Sequence, residues 1–178
     1  MKLIGATSKI LRYNLDSIDK MVNLEQEIRM TKAYVIIQET RFQDQMSFNF
    51  DIDENLDSVK VPSMLIQPMV ENAIIHGLRE KDKGGIINIL VKKHDNLVAI
   101  SIKDNGVGMD NRKMDILLSE VKNESIGLGV FNVKKRLELY YDRSDLLKIE
   151  SKTGNGTTIT IFIPMEGSDD ENAKDFNC

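Results

Sequence analysis

The run "GGIINILVKKHDNLVAISIKDNG", residues 84–106, constrains this chain more than any other stretch. Two strand-forming segments, 86–92 and 97–103, flank the turn residues His94, Asp95 and Asn96, so the run reads as a tight hairpin. "LLKIESKT" and "GTTITIFIP" form a second hairpin across Gly154-Asn155-Gly156. "MSFNFDI" alternates Met46, Phe48, Phe50 and Ile52 as a half-buried strand. Adjacent hairpins make the sheet largely antiparallel, and an apolar sheet face needs cover.

The cover comes from helical segments. Asn23 with Gln26 three residues later is a capping-box pattern. Leu24, Ile28, Thr31, Val35, Gln38 and Phe42 then share one stripe. That stripe suits either a helix lying on its own domain or one packing on a partner chain. Pro62 suits a helix start, and "PSMLIQPMVENAIIHGL" follows, with Leu65, Met69, Ala73 and Ile75 as its buried face and a kink or loose turn at Pro68. "GVFNVKKRLELYY", 129–141, is amphipathic through Val130, Val133, Leu137 and Tyr140/Tyr141. Residues 4–15 carry Ile4, Ile10, Leu11 and Leu15 and suit a short helix. The order is helix, strand, helix, two strands, helix, two strands. It predicts an α+β fold: a two-layer α/β sandwich whose mixed, largely antiparallel sheet is covered by helices on one face.

Bulk properties exclude several classes. Length 178, hydrophobic content 41% and charged content 29% fit one soluble domain with an appendage. A net charge of −4 leaves no electrostatic footprint for nucleic acid. The one cysteine, Cys178, has no partner, and His76 and His94 are too few for a histidine-built zinc site. No apolar run approaches the ~18 residues of a membrane helix, and no signal-peptide pattern opens the chain. A cytoplasmic location is expected, which leaves room for the chain to be a piece of a membrane protein. The acidic tail, 166–178, reads as disordered. Neither G-x-x-x-x-G-K-[ST], H-E-x-x-H nor G-x-S-x-G occurs.

Four short motifs remain: "ENAIIHG" at 71–77, "DNGVGM" at 104–109, "GLGV" at 127–130 and "GNGTT" at 154–158. Each alone is a turn or a helix start. Together, in this order, they resemble the N box and the three glycine boxes of the GHKL (Bergerat) ATP-binding fold of histidine kinases, gyrase-type topoisomerases, Hsp90 and MutL. "LRYNL", "VNLEQEIRMTKAYVIIQETRF" and "VPSMLIQPMVENAIIHGL" bring it closer to sensor histidine kinases of the LytS/YesM type, over about Ser8 to Met165.

The resemblance implies roles. Asp104 would accept the exocyclic amino group of adenine, a task for an acceptor-only carboxylate. Gly106 and Gly108 would admit the base, Met109 would line the pocket, and Thr157 would sit beside it. Asn72 would offer its side-chain oxygen to Mg2+. Gly127, Leu128 and Gly129, at a helix start, would meet the phosphates. His76 is read as facing the phosphates, and Glu71 as an acid/base helper or a salt-bridge partner. Residues 110–126 correspond to the family's lid over ATP.

Two departures matter. Many histidine kinases carry Lys or Arg where this chain has Ile75, which leaves His76, Lys134 or Arg136 to neutralise phosphate. Hydrolysing members place Glu four residues before the N-box Asn; this chain has Pro68 there with Gln67 beside it, and neither proline nor an amide is a general base. The implied organisation is a remnant of a dimerisation helix and linker in 1–22, a GHKL catalytic domain in 23–165 and the tail. The implied reaction is transfer of the ATP γ-phosphoryl to a histidine outside this chain, in a helical hairpin of a membrane-bound homodimer, and then to a response regulator. An ATPase of the same fold, or a non-catalytic nucleotide-binding module, are the alternatives.

Overall fold

The computed structural model describes residues 5, 7, 8, 10, 12, 13, 20–78, 81, 83–110, 114 and 128–165. Gly127, most of the expected lid and the acidic tail lie outside them.

A five-stranded sheet runs in the order β2 (Met46–Ile52), β4 (Gly85–His94), β5 (Leu97–Asp104), β7 (Thr157–Pro164), β6 (Leu147–Ser151). β2 pairs parallel to β4 and every other pairing is antiparallel, so the sheet is mixed, as expected. Alternation along the strands sends Ile87, Ile89, Val91, Val98, Ile100, Ile102, Ile159, Ile161 and Ile163 to one face, where all are buried. Each such side chain contributes about 1.5–3 kcal/mol over an exposed one. The opposite face carries polar pairs: Ser101 and Thr160 hydroxyls meet at 2.6 Å, Asn49 donates to Asn88 at 3.0 Å, and Lys92 pairs with Asp51.

Helices cover the apolar face. In α1 (Leu24–Phe42) the Asn23 N–H donates to Gln26 Oε1 at 3.0 Å. Leu24, Ile28, Thr31, Val35 and Gln38 are buried and Phe42 is half-buried against the core, so the stripe lies on its own domain. A parallel β2–β4 pair needs a crossover. The chain supplies it through β3 (Lys60–Pro62) and α2 (Ile66–Asn72), which continues as a π turn over Ala73–Leu78. α3 (Leu128–Tyr141) buries Val130, Val133 and Leu137.

Several expectations need correction. Pro62 ends β3, where its edge position needs no N–H, and pairs with Met21 of β1 (Met21–Asn23). Both strands are three residues long, too short to show a period. Pro68 neither kinks nor loosens α2. It sits in the first turn, whose N–H groups have no partner within the helix anyway. Ile75 is 51% exposed while Ala73, Ile74 and Leu78 are buried. The π turn is wider than 3.6 residues and shifts the helical phase, so a face drawn at α spacing fails there. His94 is the last residue of β4, not a turn residue, because the strands run longer than read and leave Asp95, at φ 54°, and Asn96 as the turn.

Candidate nucleotide site

Asp104 is the place to begin, because it stands where an apolar residue belongs. Val98, Ile100 and Ile102 point inward along β5, and Asp104 takes the next inward position, 4% exposed. A buried carboxylate needs donors. Its Oδ1 accepts from the Gly106 N–H at 2.8 Å and the Thr157 N–H at 3.2 Å. Both bonds fall on Oδ1, which leaves Oδ2 for an outside donor. Burial pushes the carboxyl above its ordinary 3.8, against the downward pull of those two N–H groups.

Glycines let the neighbouring chain close on this acid. A Cβ on Gly77, at the end of the π turn, would stand 2.8 Å from Asp104 Cγ. A Cβ on Gly106 would stand 2.0 Å from the Gly77 carbonyl oxygen, which instead accepts from the Val107 N–H at 3.0 Å. The Asn72 helix and the glycine loop therefore interlock backbone to backbone. Gly108, at φ +66°, packs on the carbonyl of Lys152. The Gly154 N–H donates to the Val107 oxygen at 2.7 Å, which draws the third glycine motif onto the first.

Ser151, on β6, joins the rest. Its hydroxyl accepts from the Met109 N–H at 2.8 Å, lies 2.9 Å from the Thr157 hydroxyl and donates to the Gly156 oxygen at 3.0 Å. Met109 is thus half-buried beside buried Thr157. Asn105 latches the loop to β4, accepting from the Ile86 N–H at 2.9 Å and donating to the Gly84 oxygen at 3.0 Å.

Asn72 is half-buried at the junction of α2 and its π turn, and His76 is exposed one residue before Gly77. Glu71 accepts from the Gln67 amide at 2.8 Å, so its partner there is an amide and not a cation. A Cβ on Gly129 would lie 3.3 Å from the Pro68 oxygen, which brings the start of α3 against the Asn72 helix. Leu128, the first residue of α3, is 42% exposed. Arg136 turns inward and donates to the Ser63 and Met64 oxygens at 3.0 and 3.2 Å. Among the described residues no cluster of three His, Cys, Asp or Glu side chains suits a metal.

Residues 61–167 match the family model described as histidine kinase-, DNA gyrase B-, and HSP90-like ATPase, and residues 1–46 match the histidine kinase model. The chain belongs to this ATPase family. It is an ATP-binding catalytic domain of the sensor histidine kinase kind. Sensor histidine kinase YpdA of Escherichia coli K12 is 34% identical over 168 residues, 93% of this chain and 28% of its own length. Sensor histidine kinase YesM of Bacillus subtilis 168 is 30% identical over 92% of this chain and 27% of its own length. The chain therefore spans little more than a quarter of these relatives. Among solved structures, the catalytic domain of histidine kinase ThkA superposes with a TM-score of 0.61 at 20% identity, covering 83% of this chain and 95% of that one. That likeness supports the GHKL fold.

Within this ATPase family frame, the structure adds residues that the motifs did not single out. Ser151 sits in an ordinary strand, and its contacts span 42 residues of chain. Glu27 is 2% exposed beside Ile28 of the helical stripe, and no pattern in the surrounding sequence marks it as buried. Gly77 belonged to a recognised motif, but its close approach to Asp104 is a tertiary fact.

Proposed function

We propose that this domain binds Mg-ATP and transfers the γ-phosphoryl to a histidine carried by another segment of a longer sensor kinase. The observation behind this reading is Asp104, buried with Oδ1 accepting from two backbone N–H groups; in this reading Oδ2 would take the adenine amino group. Gly106, Gly108, Met109 and Thr157 surround that acceptor and would hold the base.

Asn72 would contribute its side-chain oxygen to Mg2+. One protein ligand suits an ion that keeps waters and takes phosphate oxygens, and the described residues offer no richer set. Bound magnesium would neutralise charge building on the phosphate oxygens. The N-terminal turn of α3, opening at Leu128 and Gly129, would present backbone N–H groups to phosphate, joined by Gly127 of the same motif, and His76 stands on the Asn72 helix. In the transfer, the bond between the γ-phosphorus and the ADP oxygen breaks, that electron pair leaves with ADP, and a nitrogen–phosphorus bond forms. Glu71 beside Asn72 is the candidate to take the imidazole proton.

The whole protein would be a membrane-bound homodimer that holds this domain in the cytoplasm and passes phosphate to a response regulator, with residues 1–22 as the end of its dimerising segment. Among the described residues no helix is long and apolar enough to cross a membrane. Four residues before Asn72, where the resemblance puts the acid of hydrolysing members, stands Pro68, and Gln67 beside it is bonded to Glu71; neither is a general base, which favours transfer to a side chain over transfer to water.

Labelled ATP tests this. The domain is expected to bind ATP, to leave itself unlabelled and to label a histidine-bearing hairpin of its own protein supplied in trans. Sustained phosphate release without any phosphohistidine would instead make it an ATPase. Tight binding that ignores magnesium and survives Asn72→Ala would make it a regulatory module.

A further inference from the structure

The start of the Asn72 helix is held by groups that the nucleotide reading does not use. The first N–H groups of any helix lack partners within it. Leu65, the residue before α2, has an apolar side chain that cannot supply one. The acceptor comes from α1. Glu27 takes the Met64 N–H on Oε1 at 2.6 Å, and the Leu65 and Ile66 N–H groups on Oε2 at 2.9 and 3.1 Å. Charge-assisted bonds to a helix start are among the stronger neutral-donor bonds a protein makes.

The same turn is held from its other side. Met64 adopts φ 60°, which residues other than glycine rarely occupy. In that turn its N–H goes to Glu27, while its carbonyl and that of Ser63 accept from Arg136 on α3. The helix carrying Asn72 and the helix opening at Leu128 and Gly129 are thus referenced to one turn, which Glu27 anchors together with the Ser63 N–H bond to the Lys20 oxygen at 2.9 Å.

Glu27 has one more partner. The Tyr13 hydroxyl donates to Oε1, the oxygen that also takes the Met64 N–H. Burial pushes that hydroxyl well above its ordinary range and the Glu27 charge adds to the shift, so it stays protonated and a donor. Tyr13 belongs to the segment before β1, which also places Ile10 in the core. A cavity of about 160 Å³ opens beside the pair, lined by Tyr13, Glu27, Met64 and Glu71, so water can replace the hydroxyl if that segment shifts.

We propose that Glu27 is a positioning residue for the nucleotide site: it seats the Asn72 helix and, through Tyr13, ties that seat to the segment preceding the domain. Displacing Tyr13 takes a donor from Oε1, lets water in and loosens the turn at 63–65. The Asn72 end of the site then shifts relative to Asp104, which is anchored separately in β5. This rests on the ATP reading of the site.

The test titrates ATP, with and without magnesium, into the full chain and its Tyr13→Phe and Glu27→Gln variants. Hydrogen exchange at the Leu65 and Ile66 amides is followed alongside. Tyr13→Phe keeps the packing and removes only the hydroxyl. Both variants are expected to weaken magnesium-dependent ATP binding about threefold to tenfold, to leave magnesium-free binding nearly unchanged and to speed exchange at both amides. Wild-type affinity and magnesium dependence in both variants, with only a lower melting temperature, would make Glu27 a structural cap and overturn the proposal. Absence of ATP binding by the wild-type chain would remove the nucleotide reading itself, and the proposal with it.

Discussion

Asp104→Asn separates the chemistry of the acid from its structural role. Oδ1 accepts from the Gly106 and Thr157 N–H groups at 2.8 and 3.2 Å. An asparagine must keep its carbonyl oxygen there, because the flipped amide would set an NH2 group against two N–H donors. The amide donor is therefore locked toward the position of Oδ2, facing the adenine amino group. One hydrogen bond to a charged acceptor is lost and two donors are opposed, a cost of about 1.5–3 kcal/mol. That corresponds to ATP binding weaker by roughly tenfold to 150-fold.

Inosine triphosphate carries a carbonyl where adenine has its amino group, so the variant should gain on it relative to ATP. The protein without nucleotide should not suffer. Burial raises the Asp104 carboxyl above its unfolded value, so its contribution to stability is full below about 3.8 and is lost as pH rises through the raised folded value. The substituted amide has no charge to bury, so the variant should match or exceed wild type in melting temperature at neutral pH. ATP affinity of the wild type should fall as pH drops through the same raised value, because the protonated acid accepts less well. Calorimetric titration with both nucleotides, paired with thermal melts, reads all of this. A variant that melts like wild type and binds ATP within about twofold of it would refute the adenine role of Asp104.

Two further substitutions test the packing around this site. Gly106→Ala places a methyl 2.0 Å from the Gly77 oxygen, with backbone on both sides unable to yield, and should cost about 1–3 kcal/mol in denaturant melts together with ATP binding; an unchanged melt would mean the loop and helix are not interlocked. Thr31→Val removes a buried hydroxyl that has no hydrogen-bond partner among the described residues, and should stabilise the domain by roughly 1 kcal/mol, seen as a higher midpoint in urea.

Much of the architecture was legible because its strands are long and alternate. The hairpin at 84–106 and the half-buried Met46–Ile52 strand follow from a two-residue period that burial imposes on any one-sided sheet. The α1 stripe was legible in position but not in partner, since Thr31 and Gln38 look polar in sequence and are buried in the fold. β1 and β3 were not legible, because three residues cannot display a period. Of the site, Asp104, its glycines and Thr157 carry a recurring motif and come together. Ser151 and Glu27 act through contacts between elements far apart in sequence, and no local pattern encodes those. Ile75 was misplaced because the helical phase changes at Ala73, and the change arises where the helix meets the glycine loop.

That change of phase has a consequence for how the chain tolerates alterations of length. Surface loops absorb insertions and deletions because their ends can be rejoined. The π turn at Ala73–Leu78 is already a length variation locked into a helix. Removing one residue there would restore ordinary α geometry and leave what lies beyond nearly in phase, because a π turn takes up about one residue more than an α turn. The Gly77 carbonyl would keep its place at Val107, and its bare α-carbon its place at Asp104. The segment should thus accept the loss of one residue ahead of Gly77 where an ordinary helix would not, while the loss of a second would turn Gly77 away by about 100°.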